Sequence, residues 1–265
     1  MKLCSIASGS SGNCIYVGSE DTHLLVDTGI SKKRIEAGLS EVGLTGDDIN
    51  GILITHEHSD HIQGLGVFLR KYKVPVYAST GTMRAIRSSK SLGKLPEEML
   101  IEVANEDTFV IGDIEVEPFA ISHDSNEPFA YRMNHADKCI AVATDLGVYD
   151  DYIIEKLSGL DAILLEANHD VHMLEVGPYP YPLKRRVLGD HGHLSNELTG
   201  RLLCDILHDD MKYIVLGHLS KENNYPNLAY ETVKLELSMG STKFEECKVD
   251  MHVALRDSVS QVFQV

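Results

Sequence analysis

No apolar run in the chain approaches the roughly 18 residues that a membrane-spanning helix needs. The opening MKLCSIASGSSGN lacks the apolar core of a secretion signal. Cysteine is sparse and unpaired. Cys4, Cys14, Cys139, Cys204 and Cys247 are odd in number and widely spaced, with no Cys-x-x-Cys pair. That pattern fits reduced thiols rather than a disulfide framework. The expectation is a cytoplasmic protein without a membrane segment. Basic charge is also scarce, 24 Lys and Arg against 40 Asp and Glu, for a net charge of -16. Phosphate binding draws on basic surface, so this balance argues against a broad nucleic-acid-coating protein. It leaves room for a metal-dependent phosphodiesterase, whose carboxylates are neutralised locally by divalent cations.

What is present reads as an ordinary globular enzyme. The 265 residues are 43% hydrophobic and 24% charged, with no repeat and no low-complexity tract, and one domain over 1–265 is expected. Short aliphatic or β-branched runs at 22–28, 51–55, 74–78, 114–121, 138–145, 161–167 and 212–218 have strand length and polar boundaries. Helical spacing lies between them. Ile35, Leu39 and Val42 make one face, and Leu198, Leu202 and Ile206 another, with Ser195 as its N-cap. The class is α/β (α+β), mixed sheets with outer helices. Residues 168–195 hold too much Pro and Gly for a long regular element, and long irregular stretches inside compact domains are usually functional.

The densest chemistry sits in ILITHEHSDHIQGLG, 52–66. His56, His58, Asp60 and His61 follow a strand end, where side chains can fan around two points: His56 and His58 on one ion, Asp60 and His61 on its neighbour. Imidazole with carboxylate and no thiolate suits zinc, manganese or iron, and argues against a closed structural zinc site. The remaining ligands must come from other strand ends. His123, Asp145 and His218 each close an apolar run.

Three segments bear on the substrate. The loop SGSSGN offers Ser10, Ser11 and Asn13, either as an anion-binding nest or as a plain turn. PYPYPLKRR sets Tyr179 and Tyr181 beside Lys184, Arg185 and Arg186, either a single-strand clamp or a solvated patch. DHGHLS places His193 and Ser195 before a helix, either a phosphate site or a cap. His169 and Asp170 support this loop or line the cleft, without a metal role.

LLVDTG, THEHSDH, SHD, TDLG and GHLS, in that order, resemble the motifs of metallo-β-lactamase-fold hydrolases over nearly the whole chain. The resemblance implies a four-layer αββα sandwich. It also implies two divalent ions, with His56, His58 and His123 on one, Asp60, His61 and His218 on the other, Asp145 bridging and Asp27 supporting the ligands. His193 matches the histidine that touches the scissile phosphate in nucleases of that fold. ASGSSGNCIYV, SHDSNEPFAYR, EANHDVHML and GHLSKENN look like the YycJ (WalJ) branch, which implies a 5′-to-3′ DNA exonuclease using manganese. A metal-bridging hydroxide would then be the nucleophile, Asp60 a proton acceptor and His193 a donor to the leaving oxygen. The competing reading is a hydrolase of a cyclic phosphodiester, thioester or lactone on the same ions, which the acidic surface suits. A flavodiiron oxidoreductase fits less well: that branch carries Glu where this chain has His58, and a flavin domain that is absent here.

Overall fold

The computed structural model describes residues 1–240 and 248–265, so Cys247 falls outside it. In chain order the strands are β1 (Lys2–Ala7), β2 (Cys14–Gly18), β3 (His23–Val26), β4 (Gly51–Leu53), β5 (Val76–Ala78), β6 (Leu100–Glu102), β7 (Phe109–Ile111), β8 (Ile114–Ala120), β9 (Phe129–His135), β10 (Lys138–Ala143), β11 (Ala162–Glu166), β12 (Tyr213–Gly217), β13 (Asp250–Val253) and β14 (Phe263–Gln264). They form two seven-stranded sheets, ordered β14-β1-β2-β3-β4-β5-β6 and β13-β12-β11-β10-β9-β8-β7. Each sheet is mixed. β3 to β6 run parallel in the first and β10 to β13 in the second. The helices are α1 (Lys32–Glu41), α2 (Ser59–Ile62), α3 (Leu65–Tyr72), α4 (Thr80–Ser88), α5 (Asp151–Lys156), α6 (Val171–Val176), α7 (Tyr181–Leu188), α8 (Asn196–Ile206) and α9 (Pro226–Gly240).

Alternation along the strands creates the layers. Leu24, Val26 and Leu53 of the first sheet meet Ile140, Val142 and Leu164 of the second in a shared core. Their neighbours Leu25 and Ile52 point the other way, onto Ile35, Leu39, Phe68 and Met83 of α1, α3 and α4. Ile163 and Leu165 of β11 likewise pack against Leu202, Leu203 and Val233 of α8 and α9. Strands covered on both faces have no polar face to show, which is why these runs read as continuously apolar. The result is the αββα sandwich. Among the described residues no helix is long and apolar enough to cross a membrane.

Three strands stop short of the lengths expected from sequence for a common reason. Asp27 (φ 64°), Asp145 (φ 60°) and His218 (φ 53°) lie just past β3, β10 and β12 in the left-handed region. A ladder cannot continue through that conformation, so each strand ends and its polar residue turns off the sheet. β5 starts later than expected because Pro75 has no amide to give the ladder.

Two other expectations change. In α8 the buried stripe is Thr199, Leu202, Leu203 and Ile206, while Leu198 is 36% exposed. The Thr199 hydroxyl donates to the Glu166 carbonyl at 2.7 Å, which turns the helix away from the Leu198 face. Residues 168–195 are not wholly irregular: they contain α6 and α7. The prolines are compatible because Pro180 and Pro182 sit at the start of α7, where an amide would have no partner.

Gly29 shows how tightly the first sheet holds the α2 loop. A Cβ there would lie 1.6 Å from the Asp60 carbonyl oxygen. Gly29→Ala is expected to displace Asp60 and lower stability by about 1–3 kcal/mol, as urea denaturation would show.

Candidate metal centre

The carboxyl ends of both parallel strand sets open onto one edge of the sandwich, the usual place for a ligand site in open α/β sheets. From the first sheet come His56, His58, Asp60 and His61, on the loop and short helix after β4. From the second come Asp145 after β10, Glu166 at the end of β11 and His218 after β12. His123, between β8 and β9, completes the group.

Each buried imidazole is held through Nδ1. His61 Nδ1 lies 2.7 Å from Asp27 Oδ2, and that carboxylate also accepts the Thr55 amide and hydroxyl, both at 2.9 Å. His56 Nδ1 meets the Thr55 hydroxyl at 3.0 Å, His123 Nδ1 the Gly192 carbonyl at 3.1 Å and His218 Nδ1 Glu166 Oε2 at 3.2 Å. The Nε2 atoms therefore face a common centre. There His56 Nε2, His218 Nε2 and Asp145 Oδ2 are buried and make no hydrogen bond. Such orphaned polar atoms are costly in a folded interior unless something else satisfies them.

The ligand atoms group in ways that suit cations. His56, His58 and His123 form one set with atoms within 4.8 Å of one another; Asp60, His61 and His218 form a second; His56, His61 and Asp145 join the two. Asp145 Oδ2 is 3.2 Å from His61 Nε2, and Asp145 Oδ1 is 3.6 Å from both His123 Nε2 and His218 Nε2. The seven ligand candidates expected from sequence thus come together, and Asp27 lies behind His61.

Charge supports the same use. Burial lowers the His61 pKa, yet Asp27 and Asp145 together carry it well above its ordinary value. Burial likewise opposes protonation of His218, but Asp145, Asp60 and Glu166 raise it to about 10. Burial would push Asp145 and Glu166 up. Instead His218 and His61 hold Asp145 well below the usual carboxylate range, and His193 and His218 bring Glu166 to about 2. Buried carboxylates outnumber the positive charge near them and draw protons onto the imidazoles. Divalent cations would supply that charge in the protons' place.

Glu166 was missed in the sequence, although it closes the apolar run AILLE just as Asp145 and His218 close theirs. It is fully buried. Oε1 accepts the amides of Leu146 (2.8 Å) and Leu194 (3.0 Å), while Oε2 meets His218 and, at 3.1 Å, His193 Nδ1. His193 stands at the edge of the centre, 3.6 Å from Asp145 Oδ1.

The expected substrate residues divide. Ser10 and Ser11 are exposed, but the loop's Gly9 and Gly12 amides are bonded internally, as in a plain turn, and the Asn13 amide donates to the Asp60 carbonyl at 2.8 Å. Asn13 is buried, with Nδ2 3.2 Å from His61 Nε2. Ser195 caps α8, its hydroxyl accepting the Leu198 amide at 3.2 Å, and is 4% exposed, so it is spent on the helix. Asp170 caps α6, and the His169 carbonyl accepts the Asn196 amide. Lys184, Arg185 and Arg186 follow one another on α7, so they fan out about 100° apart instead of forming one patch. Lys184 donates to the Glu175 carbonyl, whereas Arg186 pairs with Asp124 beside His58 and His123. Arg186, Tyr179, Ser10, Asn223, Ser220 and His193 line a cavity of about 130 Å³ next to the centre.

Residues 22–218 match the model of the β-lactamase superfamily domain. The chain is 43% identical over 228 residues to exodeoxyribonuclease YycJ of Bacillus anthracis, covering 86% of each protein. It is 44% identical over 239 residues to exodeoxyribonuclease WalJ of Streptococcus pneumoniae, covering 89% of this chain and 88% of that protein. Zinc-bound PqqB from Methylobacterium extorquens shares the fold, with a TM-score of 0.70 at 14% identity over 100% of both chains.

Proposed function

The chain belongs to the metallo-β-lactamase superfamily, in the branch of YycJ and WalJ, and from that premise we propose a metal-dependent phosphodiesterase that degrades DNA from a 5′ end. The observation that carries the proposal is the set of buried imidazoles tied at Nδ1 around Asp145, with Nε2 of His56 and His218 and Oδ2 of Asp145 left without a hydrogen-bond partner. His56, His58 and His123 would hold one divalent ion, Asp60, His61 and His218 another, with Asp145 shared. Manganese or zinc is the proposed occupant, with iron the third candidate. Bound there, the ions would act as Lewis acids toward phosphoryl oxygens and make water acidic near neutrality.

The protein's own groups do the rest. Asp27 and Glu166 fix the tautomers of His61 and His218, so that their Nε2 lone pairs face inward. His193, oriented by Glu166, contacts a phosphoryl oxygen and holds a proton for the leaving oxygen. Asp60, half-buried at the rim, takes a proton from the attacking water. Arg186, paired with Asp124, places a guanidinium at the mouth. Residues 1–265 act as one domain, in the cytoplasm.

The second reading, hydrolysis of a cyclic phosphodiester, thioester or lactone, draws on the net charge of -16 and the small cavity beside His193. One experiment separates the two. Metal-loaded protein is incubated with 5′-labelled and 3′-labelled single- and double-stranded DNA, alongside a thioester and bis-p-nitrophenyl phosphate. Mononucleotides released from the 5′ end support the nuclease; hydrolysed small esters beside intact DNA would sink it. Neutralising Arg185 and Arg186 together is expected to weaken DNA binding and flatten its salt dependence by about one unit of slope per lost phosphate contact. Equal loss on DNA and on the small ester would instead indicate a folding defect.

A further inference from the structure

Arg256, on the loop after β13, carries a charge that its surroundings do not balance. Its carbonyl accepts from Arg34 Nη2 at 3.1 Å, which pins the loop. The guanidinium meets neutral oxygens: Nη2 donates to the Leu219 carbonyl at 2.8 Å, and Nη1 to Ser11 Oγ at 3.2 Å and Ser10 Oγ at 3.4 Å. Among the described residues it forms no ion pair. Arg34, Arg87, Arg186 and Arg201 each find a carboxylate, while Arg70 and Arg132, like Arg256, rest on carbonyl oxygens; of these three only Arg256 does so on the wall of a cavity beside the metal centre. In a chain with a net charge of -16, a guanidinium held in place by neutral acceptors is free to meet an anion.

Arg256 lines a cavity of about 390 Å³ together with Ser8, Ser220, Lys221, Asn224 and Tyr225. That size falls within the range of about 300–1,000 Å³ typical of small-ligand sites. Lys221 is exposed and forms no ion pair among the described residues. Tyr225 is 52% exposed, immediately before α9. Asp257, a carboxylate on the rim, is engaged by Arg34 at 3.2 Å. The cavity also adjoins the metal centre. The hydroxyl of Ser8, on its wall, accepts the His218 amide at 2.8 Å. Ser220 lines both this cavity and the smaller one that contains His193 and Arg186.

Two unpaired cations and an open aromatic ring in one concavity match a phosphate joined to a base. A carboxylate ligand would leave the ring unused, and an apolar one would leave the cations unpaired. We propose that this cavity holds one nucleotide of the DNA strand next to the scissile phosphate, with Arg256 and Lys221 on its phosphate and Tyr225 stacked on its base. The proposal rests on the nuclease reading above and adds to it a subsite outside the metal centre.

The test uses the intact, manganese-loaded chain and its Arg256→Ala, Arg256→Lys and Tyr225→Ala variants. KM and kcat are measured on single-stranded oligonucleotides, and fluorescence anisotropy follows binding of a labelled phosphorothioate oligonucleotide. Arg256→Ala and Tyr225→Ala are each expected to raise KM and the dissociation constant about tenfold with kcat little changed. Arg256→Ala also reduces the salt slope by about one, whereas Tyr225→Ala leaves it and Arg256→Lys retains it. Unchanged KM and anisotropy in both alanine variants overturn the subsite, as does failure of the wild type to bind the oligonucleotide. So does a loss in kcat that parallels KM and comes with a lowered unfolding midpoint, since that pattern marks a structural role. If the wild type binds DNA but leaves it uncut, the nuclease reading falls alone, and the anisotropy of the variants still decides the subsite.

Discussion

Asp145→Asn is expected to lower kcat/KM on DNA by about a thousandfold or more, a loss on the scale of removing a central charge-stabilising group from an active site. Asp145 is the carboxylate within 3.6 Å of imidazoles from both candidate ligand sets. An amide there keeps the volume but removes the negative charge and places an NH2 group against Nε2 atoms that need an acceptor or a cation. The same variant should lose bound metal, measured by elemental analysis after dialysis. Asn also tolerates the left-handed backbone at this position, so the fold should survive, although losing the buried partner of His61 and His218 should lower the thermal midpoint of the metal-free chain. Wild-type turnover in Asp145→Asn would refute a shared role for this carboxylate.

Glu166→Ala carries the largest expected stability effect, a loss of about 3–5 kcal/mol. The glutamate is fully buried and serves two amides and two imidazoles. Its removal leaves all four groups short of a partner and takes from His218 one of its three counter-charges. At roughly 2–4 °C per kcal/mol for a chain of this size, the midpoint should fall by about 6–20 °C. pH gives the sign. Because the folded carboxyl sits near 2 instead of its ordinary 4.5, its contribution is complete above about 4.5 and is lost as pH falls through about 2. Wild type and Glu166→Ala should therefore converge in stability at acid pH. A gap that stayed constant from neutral pH to pH 2 would show that the charge of Glu166 is not what stabilises the fold.

The two variants also mark where the sequence was readable. The ligand cluster was legible because crowded histidines and aspartates after an aliphatic strand have no packing role, and because His123, Asp145 and His218 each end an apolar run. The layers were legible from runs that are apolar on both faces. Glu166 obeyed the same strand-end rule but drew no notice, since a single glutamate closing AILLE has no neighbouring ligand in sequence. The basic triplet stayed ambiguous in sequence because adjacency there is divergence on a helix, and Ser195 because a helix cap and a phosphate contact use the same hydroxyl. Arg256 lies far from every motif; only the folding of the β13 loop over Ser10 and Ser11 brings it to the site.

His56, His58, Asp60 and His61 hang from one sheet, and Asp145, Glu166 and His218 from the other, at the same open edge of the sandwich. Whatever cation they share also fastens the two sheets at that edge. Breathing of the sandwich and cation affinity then become one linked equilibrium. A perturbation that pries the sheets apart loosens the ions, and loading the ions quiets the seam by the same free energy. Remote substitutions in the inter-sheet core around Tyr131 and Leu164 would thus reach the chemistry as changes in metal occupancy, without touching a ligand.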